Sequence, residues 1–353
     1  MINDHEPRSP QRRYTTGNPV VDGEIAELVG LVGDTFDRRL LGELMTSVYR
    51  LGLDQSTTGD LKLLNAALKE LRHAFKVFRP YRHIRKVATF GSARVTSRYP
   101  SYRMAQEFGR LMVRAGWMMI TGAASGIMKA GHEGAGRTAS FGLNIRLPFE
   151  QNANLIIAKD PKLISCKYFF TRKLLFIKES HATALFPGGF GTLDEGFESL
   201  TLVQTGKSDP RPIVFVENPG RPFWKPMLRF FDQQLLRDGM ISKSDRSIYY
   251  VAASAEAAAE AILKFYTRYH SLRYVGERLV LRLQRPLPEA VVTELSREFR
   301  DLVSSGELVQ GRTLPEEADD PELAHLPRLI FRFNRREYGR LYELIHRINE
   351  LGS

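Results

Sequence analysis

Cysteine is almost missing: Cys166 is the single thiol in 353 residues. That excludes an internal disulfide and a thiolate zinc site, since either needs a second cysteine. Long apolar runs are missing as well. Stretches such as Ala182 to Phe186 and Leu279 to Leu283 are strand-sized, far short of the ~20 residues a bilayer helix needs. No membrane partner is therefore expected. The first fifteen residues carry Asp4, Glu6, Arg8, Arg12 and Arg13 with no apolar block, so no secretory signal is expected and the expected compartment is the cytoplasm. Arg-Gly-Gly tracts, a lysine-rich tail, zinc-finger spacing and RNP-type aromatics are absent, and nucleic acid is not an expected partner.

What is present is an ordinary globular composition, 43% hydrophobic and 26% charged, with length for about two domains. Lys and Arg number 51 against 40 Asp and Glu, a formal charge of +11. Such an excess favours anionic partners but says nothing about fold.

Residues 1–20 are polar, with Pro7, Pro10, Gly17 and Pro19, and are expected to form a flexible tail. From 21 to 85 apolar residues recur at helical spacing: Ile25, Leu28, Val29 and Val32, then Leu40, Leu41, Leu44 and Val48, then Leu61, Leu64, Leu68, Leu71 and Phe75. This predicts an N-terminal helical extension. Between 86 and 270, strand-sized runs (Val87 to Phe90, Trp117 to Thr121, Phe141 to Leu147, Ala182 to Phe186, Ile213 to Glu217) alternate with helical segments (Tyr102 to Ala115, Tyr168 to Lys178, Thr192 to Gln204, Phe223 to Leu236). That alternation predicts an α/β fold, a doubly wound parallel sheet with helices on both faces. Residues 271–353 change pattern and predict a small α+β module of order β-α-β-β-α, with a helix from Leu287 to Val303, a short strand near Glu307 to Val309, and a loop over the acidic stretch Leu314 to Pro321.

The segment Phe186-Pro187-Gly188-Gly189-Phe190-Gly191-Thr192-Leu193-Asp194-Glu195 joins a strand to a helix through glycines. Glycines let a backbone approach an oxyanion, and the helix amides and dipole attract it. It is neither a dinucleotide fingerprint, because Asp194 replaces the last glycine, nor a P-loop. Thr192-x-x-Glu195 is equally a capping box, in which both side chains merely close the helix end. Upstream, Arg172 and Lys173 open a helix and have two readings: ligand-binding cations or a solvated basic edge. Phe90-Gly91-Ser92-Ala93-Arg94 and Thr121-Gly122-Ala123-Ala124-Ser125-Gly126 end two earlier strands, which puts three glycine turns on one rim of the sheet.

Pro187-Gly188-Gly189-x-Gly191-Thr192-x-x-Glu195 with Arg172-Lys173 resembles the paired signature of the LOG (Lonely Guy) family of nucleoside 5′-monophosphate phosphoribohydrolases, once labelled lysine decarboxylases. Gly91-Ser92, Thr121-Gly122, Gly126-Ile127-Met128 and Asn144-Ile145-x-Leu147-Pro148-Phe149-Glu150-Gln151 add to the likeness, which spans about 86 to 269 and is nearest the longer bacterial members. The resemblance implies a Rossmann-like fold, a homodimer or higher homo-oligomer, and cleavage of a nucleotide's N-glycosidic bond without cofactor or metal. It implies Arg172 and Glu195 as catalytic residues. Gly91, Ser92, Gly122, Lys173, Gly188, Gly189, Gly191 and Thr192 are implied as substrate-binding. Lys129 and His132 depart from the Glu and Asn of many relatives, which bears on substrate preference.

Cleaving the C1′–N bond develops oxocarbenium character on the ribose, and a carboxylate facing the sugar, Glu195, suits that chemistry. The competing reading is a non-catalytic Rossmann-like carrier of a nucleotide or molybdenum cofactor. A DNA-binding Rossmann-like protein would suit +11 but not Glu195. No signature residue lies in 271–353, so that module is expected to be regulatory or to serve assembly. If its strands are neighbours, Arg278, Arg282, Arg328 and Arg332 share a face, which either is simply solvated or docked onto acidic surface of the core, or holds an anionic regulatory nucleotide.

Overall fold

The computed structural model describes residues 14–33, 37–146, 152–217 and 220–351. They fall into two compact units, Glu6–Glu70 and Leu71–Ser353. In the smaller unit α1 (Pro19–Gly30) packs on α2 (Arg38–Leu53), and α3 (Thr58–Phe78) begins. Pro19 sits in the first turn of α1 and Asn18 caps it by accepting from the Val20 amide at 3.0 Å. Thr16 donates to Asp22 at 2.8 Å, so ordered structure starts inside the expected tail, whose residues 1–13 lie outside the described residues.

The larger unit opens with β1 (Lys86–Phe90), α4 (Pro100–Arg114), β2 (Met118–Thr121), α5 (Ile127–Ala135), β3 (Ser140–Ile145) and β4 (Leu163–Cys166). It continues through α6 (Phe169–Glu179), β5 (Ala182–Leu185), α7 (Phe190–Gln204), β6 (Ile213–Val216), α8 (Lys225–Phe230), β7 (Tyr249–Ala252) and α9 (Ala255–Phe265). The strands form one parallel sheet in the order β4-β3-β2-β1-β5-β6-β7, with Val87 registered against both Met119 and Ala182. The sheet is Rossmann-like and doubly wound. Because helices cover both faces, β1, β2, β5 and β6 are buried along their whole length and, apart from Lys86 at the start of β1, read as small or apolar runs. Winding reverses between β1 and β5, and that crevice is where such sheets hold ligands. α4 and α5 lie close enough that a Cβ on Gly134 would fall 1.8 Å from the Gln106 carbonyl. Among the described residues no helix is long and apolar enough to cross a membrane.

Sequence periodicity overlooked β4, α5, β7 and α9. α5 is hidden by its glycines, which are there for packing. The helix expected from Phe223 starts at Lys225, because Trp224 is buried with its indole donating to the Val216 carbonyl at 3.0 Å, and its second half, Phe231–Leu236, is π-helical.

The remaining chain adds β8 (Tyr269–Val275), β9 (Arg278–Leu283), α10 (Glu289–Glu298), β10 (Val303–Gly311), β11 (Arg328–Phe333) and α11 (Tyr338–Leu351). The order is β-β-α-β-β-α, one strand more than expected. β8 escaped notice because only Tyr269, Leu272 and Val275 are buried, a spacing without alternation. The expected helix to Val303 stops at Glu298, and the short strand expected near Glu307 is nine-residue β10. The four strands are antiparallel in the order β10-β11-β9-β8, and their apolar face shares one core cluster with Phe215 and Phe265 of the parallel sheet and its last helix. α11 is clasped to the sheet. The Tyr342 hydroxyl accepts from the Arg211 amide at 2.6 Å and donates to its carbonyl at 2.8 Å, while Asn349 bonds the Arg268 and Tyr269 amides and the Phe265 carbonyl.

β9 and β11 are neighbours, with Arg282 opposite Arg328. Their arginine face meets acid from its own module: Glu317 takes Arg282 at 2.7 Å and Arg328 at 3.1 Å, all three buried, while Arg278 meets Glu316 and Arg332 meets Glu277. The acid comes from the module itself, so the face is neither simply solvated nor docked on the core as expected. Burial alone would raise the Glu317 pKa, but Arg328 and Arg282 hold it below the ordinary 4.5. Glu317→Ala leaves two buried guanidinium groups unpaired and should cost about 3–5 kcal/mol in urea unfolding. Because the folded pKa is depressed, the carboxylate's contribution is present above the ordinary value and lost as pH falls through the folded one; wild type and variant should converge in acid.

Candidate functional site

Three turns leave the carboxyl ends of β1, β2 and β5 and are stitched together by backbone bonds. Ser92 N donates to the Pro187 carbonyl at 3.0 Å, and Ile127 N to the Ser92 carbonyl at 3.0 Å. A Cβ on Gly188 would lie 2.1 Å from Thr192 Oγ1 and 3.0 Å from Ser92 N, so only glycine closes this junction. A Cβ on Gly189 or Gly191 would meet nothing within 4 Å, so both glycines border open space.

That space is a cavity of about 610 Å³. Gly91, Ser92, Gly122, Arg172, Gly189, Gly191, Thr192 and Glu195 all line it. Gly188 sits behind the wall, and Lys173 stands on the far side of Glu195. Residues that sequence reasoning did not assign to the site also border it: Arg94, Met128 and Asn144 supply polar or polarisable groups, and Phe90, Phe176 and Phe190 supply apolar area. The signal that finds them is position, because Arg94 and Asn144 lie just beyond and at the carboxyl ends of β1 and β3, and Met128 opens the helix that follows the β2 turn. The resemblance segment 147–151 lies outside the described residues.

α7 starts at Phe190 with Gly189 as N-cap and no side-chain cap bond. Thr192 is therefore inside the first turn and the capping box does not form. Thr192 N donates to the Gly189 carbonyl at 2.9 Å, which leaves the amides of Phe190 and Gly191, both cavity-lining residues, without intrahelical acceptors at the positive end of the dipole.

Glu195, one helical turn further in, is 3% exposed, and neither carboxylate oxygen has a hydrogen-bond partner among the described residues. Arg172 approaches it at 3.8 Å and Lys173 at 3.7 Å. Lys173 is held more firmly elsewhere, by Asp194 at 2.9 Å and Glu198 at 2.8 Å. The solvated-edge reading of this pair fails, since Arg172 and Lys173 keep only 15% and 18% of their side chains exposed. Arg172 packs against the Phe169 and Phe176 rings, and burial lowers its pKa against the pull of Glu195. Each cation offers Glu195 roughly 4 kcal/mol at an effective dielectric near 20. Desolvation still wins: burial pushes the Glu195 carboxyl up to about 7.

His132 and Lys129 do not border the cavity. His132 is fully buried, Nε2 lying 3.0 Å from both Thr121 Oγ1 and the Phe141 carbonyl, and burial takes its pKa down to about 4. Asn154 contacts its Nδ1 and donates to the Ala123 carbonyl at 3.0 Å, so this histidine supports the β2 turn from beneath. Lys129 pairs with Glu133 at 3.5 Å. Among the described residues no cluster of His, Cys, Asp and Glu could hold a metal.

A family described as "Possible lysine decarboxylase" matches residues 120–262. A probable cytokinin riboside 5′-monophosphate phosphoribohydrolase of Oryza sativa subsp. japonica is 33% identical over 99 residues, 28% of this chain and 44% of that protein. A cytokinin riboside 5′-monophosphate phosphoribohydrolase of Arabidopsis thaliana is 31% identical over 29% of this chain and 46% of its own length. The matched segment is similar to the phosphoribohydrolases of the LOG family. The chain spans less than half the length of these curated relatives. Among solved structures, the molybdenum cofactor binding protein of Rippkaea orientalis aligns at TM-score 0.37 and 20% identity, over 51% of this chain and 94% of that one. The molybdenum cofactor carrier protein of Chlamydomonas reinhardtii aligns at 0.36 and 18%, over 51% and 97%. Decarboxylation on pyridoxal phosphate needs a lysine to bind the aldehyde, and no lysine is among the described residues that line this cavity.

A carboxyl whose pKa rises on folding binds its proton more tightly in the native state, so stability declines as pH climbs from the ordinary 4.5 to about 7. Glu195→Gln removes the ionisation. It should melt at a higher temperature than wild type at pH 8 and at a similar one at pH 5.

Proposed function

We propose that this protein hydrolyses the N-glycosidic bond of a purine nucleoside 5′-monophosphate, AMP foremost, to free base and ribose 5-phosphate. The observation that carries the reading is Glu195, a buried carboxyl with no hydrogen-bond partner among the described residues, about one turn inside a helix whose first residues line the same cavity. The 5′-phosphate would rest on Gly189, Gly191 and Thr192 at that helix start, with Ser92 beside it. Such a pose brings the ribose toward Glu195. As the C1′–N bond lengthens, its electron pair leaves with the base, and the ionised carboxylate stabilises the positive charge growing on the sugar. Water adds to C1′. Its proton passes by way of Glu195 toward the departing base, so that the products are the ribose 1-hydroxyl and the protonated base nitrogen. Arg172 favours the ionised form and anchors the nucleotide. A carrier would use the same phosphate cradle but gains nothing from a carboxyl kept out of water at such cost. A cytoplasmic location accords with a nucleotide substrate, and no cofactor or metal enters the proposed chemistry.

Chromatography of free base after incubation with AMP and adenosine should show release from the phosphate ester alone. Glu195→Gln should lower kcat/KM by about 10²- to 10⁴-fold, and the wild-type rate should rise with pH through about 7 as the carboxyl ionises. A well-folded Glu195→Gln that retains most activity counts against the assignment.

We also propose a homodimer or larger assembly. Phe190 is 91% exposed at the cavity mouth, with Phe169, Phe170 and Phe197 exposed on α6 and α7, an apolar area suited to a second copy. Light scattering at micromolar concentration should give at least twice the chain mass; a monomer is the contrary result.

A further inference from the structure

A second cavity, of about 710 Å³, opens at the amino ends of β1, β5 and β6, the opposite end of the sheet from Glu195. Its inner wall carries three cations, Arg85, Lys86 and Arg211. Lys86 and Arg211 are 1% and 3% exposed. All three spend their hydrogen bonds on neutral acceptors. Lys86 Nζ donates to the Tyr81 and Ile84 carbonyls at 2.8 Å, Arg85 to the His270 carbonyl at 3.3 Å, and Arg211 to the Ile177 and Ala182 carbonyls at 2.9 and 3.0 Å. Among the described residues none of the three lies within ion-pair distance of a carboxylate. Arg85 Nη1 and Arg211 Nε are buried with no partner at all.

Buried charges are normally paired; here Lys86 and Arg211 are buried without an ion pair among the described residues, half-buried Arg85 beside them stacks 3.6 Å from the centre of the Tyr266 ring, and Glu179 tempers Lys86 from a distance, so the wall still calls for a counter-charge. The carboxylates at the rim are engaged elsewhere: Asp320 with Arg282 and Arg273, Glu322 with Arg82, Glu179 with Lys178. Asp209 borders the cavity and offsets part of the charge on Arg211. The wall's field is felt by its histidines. His181 is held well below its ordinary pKa by burial and then by Lys86, Arg85 and Arg211, and His270 falls to about 4 through burial and Arg85.

We propose that this basal cavity is a binding site for a small phosphorylated compound carrying at least two negative charges. Guanidinium forks suit phosphate oxygens, the two free guanidinium nitrogens supply donors, and the volume admits a ligand of nucleotide size. The face of arginines on β9 and β11 is not this site, because Glu317 already occupies it; Arg282 only edges the cavity. Arg211 also holds the carboxyl end of α6 through Ile177 and Ser180, and the first turn of that same helix carries Arg172.

Calorimetry of the full chain with pyrophosphate tests the site directly. Since the glycine loop is itself a proposed phosphate cradle, the decisive titration uses Gly189→Asp, where space is open, aspartate suits the N-cap, and its charge repels phosphate from α7. One equivalent should still bind. On that background Arg85→Gln, and independently Ser271→Glu, which sets a carboxylate in the cavity from half-buried β8, should weaken binding at least tenfold while circular dichroism stays native. If Gly189→Asp abolishes binding, or if the folded double variants bind with undiminished affinity, the proposal is overturned. If wild type and Gly189→Asp bind the same single equivalent, the basal site stands and the glycine loop loses its phosphate.

Discussion

Removing a carboxyl from water beside two cations is the interaction on which this cavity turns. Glu195 sits at 3.7 and 3.8 Å from Lys173 and Arg172, yet neither is a hydrogen bond, and both oxygens stay unpaired. Burial outweighs attraction. A residue with that balance is neither a structural ion pair nor a surface acid, and it draws on the stability of everything around it. Lys173 keeps the balance from tipping further, since Asp194 and Glu198 hold it and keep its charge despite partial burial.

The surroundings that bear this cost follow from the winding of the sheet. β1 and β5 lie side by side where the chain reverses direction, so their two glycine turns are adjacent although about ninety residues separate them. The backbone bond from Ser92 to Pro187 and the contact of Gly188 with Thr192 join those turns into one rigid lip. A lip built from backbone needs few side chains of its own. That is why the cavity can present helix amides on one side and a lone carboxyl on the other.

Much of this was legible in the residues. Alternating runs announced the parallel sheet, and the Pro187 to Glu195 segment marked the strand-to-helix junction. Other parts were hidden for physical reasons. The capping box was a false lead, because the helix starts three residues earlier than a threonine cap requires. α5 lacks a clear apolar stripe, since its glycines serve contact with α4. His132 looked like a substrate-facing departure but faces the interior, which no single-sequence pattern distinguishes. Asn144 and Arg94 carry no pattern of their own and become candidates only when strand ends are aligned. The arginine face of β9 and β11 was foreseen, whereas its counter-ion Glu317, in an irregular loop, was found only through distance.

The clasp made by α11 bears on how the chain is born. Tyr342 closes on Arg211 across 131 positions, and Asn349 secures residues 268 and 269 from about eighty positions downstream. A ribosome delivers residues in order, so the parallel sheet must wait, its lower edge unclasped, until residue 349 has cleared the exit tunnel. During that interval the nascent sheet exposes the apolar area that α11 later covers, an exposure set by the topology rather than by any one residue.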